Sequence, residues 1–105
     1  MTASTRMATG FSGGIGDTRE ELCGALSGGV MVIGGLLGRS SADGDDQPAI
    51  RAVARYREHF LEQFGYTQCG ELREKVVDAS CGPGSCAALV EEAAAILMAV
   101  LDETA

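Results

Sequence analysis

Between Leu22 and Gly38 the chain runs 17 residues without a charge, and six of those positions are glycine. Such a run either spans a membrane or is buried on most of its sides. It sits at the short end of the roughly 17–25 residues that a span needs, and glycine adds little to transfer into lipid. A helix apolar on nearly all sides is more economically the buried central helix of a small bundle. Gly24 and Gly28, like Ala25 and Gly29, stand four apart, making a ridge of small residues against which another backbone can pack closely. Close packing then offsets a helix-propensity loss of about 1 kcal/mol per glycine. Thr18-x-x-Glu21 has capping-box spacing, which predicts that this helix begins at Thr18. Gly38 and Arg39 suit its C-terminal end, so the expected span is Thr18 to Gly38.

The remaining apolar pattern is also helical. Pro48 fits a first turn, and Ile50, Val53, Ala54, Phe60, Leu61 and Phe64 recur at three- and four-residue steps up to Gly65. Arg51, Arg55, Glu58 and Glu62 take the other side, and His59, the single histidine, falls at the boundary. Between Thr67 and Lys75 there is room for one short helical segment starting near Cys69, and Gly82-Pro83-Gly84 breaks the chain. In the closing helix Cys86, Leu89, Val90, Ala93, Ile96, Leu97, Val100 and Leu101 form one face, with Glu91, Glu92, Asp102 and Glu103 outside it. Four helical pieces and no strand signal predict one all-α domain over residues 1–105, a small helical bundle around a buried glycine-rich helix. Residues 1–7 read as a flexible N-terminus, 8–17 as a glycine-rich loop and 40–47 as an acidic loop.

Charge and motif content remove several function classes. Fifteen acidic against eight basic residues leave a net charge of −7, which works against a grip on nucleic acid phosphates or an anionic membrane surface. Asp43-Gly44-Asp45-Asp46 lacks the ligand register of a calcium loop. Gly14-Ile15-Gly16 is followed by Arg19 where a dinucleotide fold has glycine, and no Gly-Lys-Ser/Thr occurs. One histidine leaves little for acid–base work. Four cysteines are too few for a dense secreted scaffold, and no charged and apolar leader opens the chain. The expected setting is cytoplasmic, with reduced thiols.

Reactive chemistry therefore rests on the cysteines. Cys81-x4-Cys86 contains no CxxC, so neither a zinc ribbon nor a thioredoxin-type dithiol follows from spacing, although the Gly82-Pro83-Gly84 turn can draw the pair together. Ser85 reads as an N-cap, placing Cys86 in a first helical turn whose free amides favour a thiolate; the alternative is a small buried apolar residue. Cys23, lying between Leu22 and Gly24 in an apolar helix, reads on its own as packing.

Taken together, Gly10-Phe11-Ser12-Gly13-Gly14-Ile15-Gly16 followed by Cys23-Gly24-Ala25-Leu26-Ser27-Gly28 resembles the redox-active proteins named for their C_GCAxxG_C_C cysteine pattern. Phe64-Gly65-Tyr66-Thr67-Gln68-Cys69-Gly70-Glu71-Leu72 resembles that family's third cysteine segment, and Cys86-Ala87-Ala88-Leu89-Val90-Glu91-Glu92-Ala93-Ala94 its last. The resemblance spans about residues 6–103. It implies a small all-helical protein whose Cys23, Cys69 and Cys86 are the functional thiols, serving redox chemistry or holding a metal or iron–sulfur centre. Cys81 has no counterpart in that pattern. The family's N-terminal helix with the first of its four cysteines is also missing before the glycine loop, so Cys81 is the candidate for the fourth thiol. The rival explanations are a start upstream of Met1 or a helix supplied by another subunit. A bundle short of one helix leaves apolar surface and favours a homo-oligomer.

The leading expectation is a cysteine-based redox or electron-transfer protein with a redox partner protein, whose thiols form a dithiol/disulfide pair or ligate a metal. Cys23, Cys69, Cys81 and Cys86 are the candidate ligands, and thiolate chemistry suits zinc and iron–sulfur alike. The alternatives are a structural zinc site on the same thiols and a plain interaction module.

Overall fold

The computed structural model describes residues 3–78 and 84–104. Its helices are α1 (Ala3–Ala8), α2 (Gly24–Leu37), α3 (Gln47–Phe64), α4 (Cys69–Leu72) and α5 (Cys86–Thr104). A 3-10 turn at Thr9–Phe11 extends α1, and a π-helical turn at Arg73–Val77 extends α4. The protein is all-α, as expected: α2, α3 and α5 pack pairwise, and no strand occurs among the described residues. Helical structure also enters the segment read as loose N-terminus and the start of the glycine-rich loop. No described helix is long and apolar enough to cross a membrane.

The core is built on α3. Ala52, Tyr56, Phe60 and Phe64, each four residues on from the last, are buried. Their rings pack edge to face, with centroids 6.1 Å apart for Tyr56–Phe60 and 4.7 Å for Phe60–Phe64. Such contacts add to the area that the rings bury. Gly65 ends α3 in a left-handed conformation, as its place after the apolar pattern predicted. The stripe itself needs correction: Ile50 is exposed, and Ala52 and Tyr56 are the buried residues of its first half. His59 does lie at the boundary, 3.5 Å from Glu62 and 3.9 Å from Glu103.

The glycine-rich helix departs from expectation in its start and in its depth. It begins at Gly24, not Thr18, because residues 19–23 are held by distant backbone: Leu22 forms an antiparallel bridge with Gln68. Thr18 makes no capping box; its hydroxyl donates to the Gly14 and Ile15 carbonyls at 2.9 Å. Only one side of α2 joins the core, through Leu26, Ser27, Gly29 and Ile33, while Met31, Val32 and Leu36 are exposed. The close approach foreseen for its small residues occurs at Gly29, against the Tyr56 ring and not against a backbone.

The loop before α2 has an unusual backbone. Gly13, Gly14, Ile15, Gly16 and Asp17 all have φ between 58° and 73°, and Arg19 has φ 63°. This is a turn of left-handed backbone, which costs about 1–2 kcal/mol for each residue bearing a Cβ. Glycine carries three of the five positions without that penalty. Ile15 and Asp17 are held by hydrogen bonds across the turn, Ile15 N–H to Phe11 O at 3.4 Å and Asp17 N–H to Ser12 O at 3.0 Å.

Candidate functional site

The bridge at Leu22 and Gln68 is the local device that assembles the site. Cys23 N–H donates to Thr67 O, Cys69 N–H to Glu21 O and Gly70 N–H to Arg19 O, each at 2.8 Å. The Gln68 side-chain amide adds a bond to Glu20 O at 3.0 Å. Two cysteines far apart in sequence are thereby laid side by side. The left-handed turn closes over them, with Gly14 against the Cβ of Cys69.

Each of these thiols stands at the start of a helical segment. Cys23 is the N-cap of α2, a correction to its expected place inside that helix, and its carbonyl accepts from Leu26 and Ser27 N–H at 3.0 and 3.1 Å. Cys69 is the first residue of α4 and is buried. Cys86 opens α5 behind Ser85, whose hydroxyl accepts from Ala88 N–H at 3.1 Å, so the N-cap reading of Ser85 holds. Cys86 is exposed, which answers the alternative of a buried apolar role.

All three line one cavity of about 240 Å³, with Ser12, Gly13, Ala25, Leu72, Leu89 and Val90 among its other walls. The three thiols are free. Cys81 and the Gly82-Pro83 part of the break lie outside the described residues. Among the described residues, no group of three or more His, Cys, Asp or Glu is arranged to hold a metal ion.

Arg73, in the π-helical turn, lines the same cavity and is its one charged wall residue. Its guanidinium is held above the ordinary arginine range by a hydrogen bond to Cys69, then by the charges of Cys86 and Cys69. Sequence reasoning missed this residue. The signal was its place four after Cys69, on the same face of the short helical segment expected between Thr67 and Lys75.

Electrostatics separate Cys23 from its neighbours. Burial pushes its thiol up, the backbone N–H groups of Ala25 and Leu26 pull the other way, and the charges of Cys69 and Cys86 push it up again. Burial wins, so Cys23 remains a protonated thiol at neutral pH. Tyr56, whose hydroxyl donates to Ala25 O at 2.8 Å, is pushed up to about 12 by burial and then by the charge of Cys23. Both native groups keep a proton that the unfolded chain releases earlier. Their contribution to stability is whole below pH 9 and is lost as pH rises, with the phenol's share falling between about 10 and 12. Urea unfolding at stepped pH is expected to show a loss of about 1–2 kcal/mol over the upper window. Tyr56→Phe should flatten that part of the curve; an unchanged slope would remove Tyr56 as its cause.

No curated protein and no solved structure shows a significant match to the chain. The family model described as "Putative redox-active protein (C_GCAxxG_C_C)" matches residues 1–100. With Cys23, Cys69 and Cys86 brought to one cavity and the match running over nearly the whole chain, the protein belongs to the C_GCAxxG_C_C redox-active family.

Proposed function

We propose that the protein works as a dithiol–disulfide redox couple, with Cys86 as the attacking thiol and Cys69 as the resolving thiol. The observation that supports this reading is the shared cavity, in which an exposed and a buried cysteine flank one guanidinium. The Cys86 thiolate attacks one sulfur of a partner's disulfide, and the departing sulfur leaves as a thiolate that takes up a proton. Cys69 then attacks the Cys86 sulfur of the mixed disulfide. The second partner sulfur is released and a Cys69–Cys86 disulfide remains. Two electrons and two protons have passed from the protein to the partner. Cys23, kept protonated, forms the third wall of the site.

A metal or iron–sulfur centre on these thiols fits less well. The described cysteines do not form a ligand set. The dithiol reading belongs to a reducing cytoplasm and takes a disulfide-bearing protein as redox partner. Met31, Val32 and Leu36 of α2, with Val90 and Met98 of α5, leave apolar surface that suits a second copy of the chain.

Protein purified without oxygen tests the reading. Titration with oxidised glutathione and mass mapping should find one reversible Cys69–Cys86 disulfide per chain, lost in Cys69→Ser and in Cys86→Ser but kept in Cys23→Ser. Stoichiometric zinc or iron on unoxidised thiols, or no reversible disulfide, would overturn it. Light scattering on the same sample should give a dimer mass, and a monomer mass would remove the second copy.

A further inference from the structure

The cavity wall opposite α5 is formed by the π-helical turn that follows α4. Such turns are rare and concentrate at functional sites, since the extra residue re-aims the side chains after it. Here Arg73 begins that turn. It stands four residues after Cys69 and faces a cavity that also holds Cys86 and Cys23. Its Nε is buried and has no hydrogen-bond partner among the described residues. Surface salt bridges elsewhere on the molecule use Arg39, Arg55 and Lys75, and Arg73 is in none of those described. The charge of Asp17 acts on Arg73 only after those of the two sulfurs, so a guanidinium outside the described salt bridges and beside sulfur is available to the charge that forms on sulfur during exchange.

We propose that Arg73 is the positioning residue of the thiol site, its guanidinium holding the negative charge that the Cys69 and Cys86 sulfurs carry while the reduced pair reacts. The inference rests on the dithiol reading and deepens it. Sulfur charge shared with a guanidinium stabilises the reduced form over the disulfide, so the potential of the couple rises and the reduced pair gives its electrons only to a partner disulfide that is more oxidising still. Removing the guanidinium leaves the atoms and electrons of the exchange unchanged. It shifts the equilibrium towards the disulfide and slows the attack.

Arg73→Gln and Arg73→Lys, compared with the wild-type protein, test this. In Arg73→Gln the disulfide should form about tenfold more readily against a glutathione buffer, which is a potential lower by about 30 mV for a two-electron couple. Alkylation of Cys86 by iodoacetamide at pH 7 should slow by a similar factor. Arg73→Lys should restore most of both, because a compact charge replaces the guanidinium. A Gln variant with wild-type potential and alkylation rate, or a Lys variant as impaired as Gln, would overturn the positioning role while leaving the dithiol reading intact. No Cys69–Cys86 disulfide in the wild-type protein would instead overturn the dithiol reading itself, and Arg73's role with it. A further measurement needs no variant and decides the case if Arg73→Gln does not fold. Anionic iodoacetate, compared with neutral iodoacetamide, should react relatively faster with wild-type Cys86 than with glutathione. A ratio no higher than that of glutathione overturns the proposal.

Discussion

Gly14→Ala is expected to destabilise the protein by about 2–5 kcal/mol and to disturb the thiol site in the same step. Two separate effects act at this position. The residue sits at φ 73°, where an L side chain is strained by about 1–2 kcal/mol. The added Cβ would also lie 2.6 Å from the Cβ of Cys69 and 2.9 Å from the Cα of Arg19, well inside contact distance. Backbone and a Cβ cannot swing away as a long side chain does, so either the left-handed turn lifts or Cys69 is displaced. Overpacking of this kind costs about 1–3 kcal/mol. Gly16 supplies the control, since its φ is 62° but nothing lies within 4 Å of a Cβ there. Gly16→Ala should therefore show the conformational cost alone, about 1–2 kcal/mol, with thiol reactivity unchanged. Urea midpoints and the rate of Cys69 modification separate the two. If both variants lose the same stability and keep the same Cys69 rate, the turn does not pack on the site as described.

That pair of glycines also marks where local reading stops. The helix from Gln47 to Phe64 was legible because its signals are local: a proline in the first turn, apolar residues at helical spacing and a glycine that closes it. The closing helix was legible for the same reason, with Leu89, Ala93 and Val100 as its buried line, although Cys86 and Val90, expected on the same face, are exposed. The start of α2 was not. Thr18 and Glu21 carry a sound local signal for a helix N-terminus, but the backbone of residues 19–23 is held by residues 67–70, and no local window contains both. A positive φ at Ile15 runs against its β-branched preference and is imposed by the turn around it. The three cysteines were singled out by the order of motifs along the chain, not by any spacing between neighbours. The bridge that moved the helix start brings Cys23 to Cys69, and the packing of α5 adds Cys86 to their cavity. Arg73 escaped although it stands one helical turn after Cys69, because the second sulfur beside it, Cys86, is brought near only by the fold.

Gly29→Ala should lower stability by about 2 kcal/mol, whereas Gly28→Ala, one residue away on the same helix, should raise it by up to about 1 kcal/mol. Alanine is favoured over glycine inside a helix by about 1 kcal/mol at both positions. What separates them is Tyr56. Nothing lies within 4 Å of a Cβ at Gly28, while one at Gly29 would enter the Tyr56 ring at Cε2, with Cζ at 2.5 Å and the hydroxyl at 2.7 Å. The ring has no room to retreat: it is fully buried, packed against Phe60, and its hydroxyl is bound to Ala25 O at 2.8 Å. Accommodation costs about 1–3 kcal/mol of overpacking, and loss of the hydrogen bond about 1 kcal/mol more. At this chain length the changes correspond to a Tm lowered by roughly 10 °C in one variant and raised by about 5 °C in the other. Shrinking the ring tests the cause, because Gly29→Ala placed on a Tyr56→Leu background should lose most of its penalty. Additive effects in that cycle would mean that the glycine and the tyrosine do not touch. Because Ala25 lies in the first turn of α2, two residues from Cys23, the same contact sets how the helix presents that thiol to the cavity. Gly29→Ala should accordingly speed alkylation of Cys23 as well as lower the Tm, while Gly28→Ala leaves that rate alone.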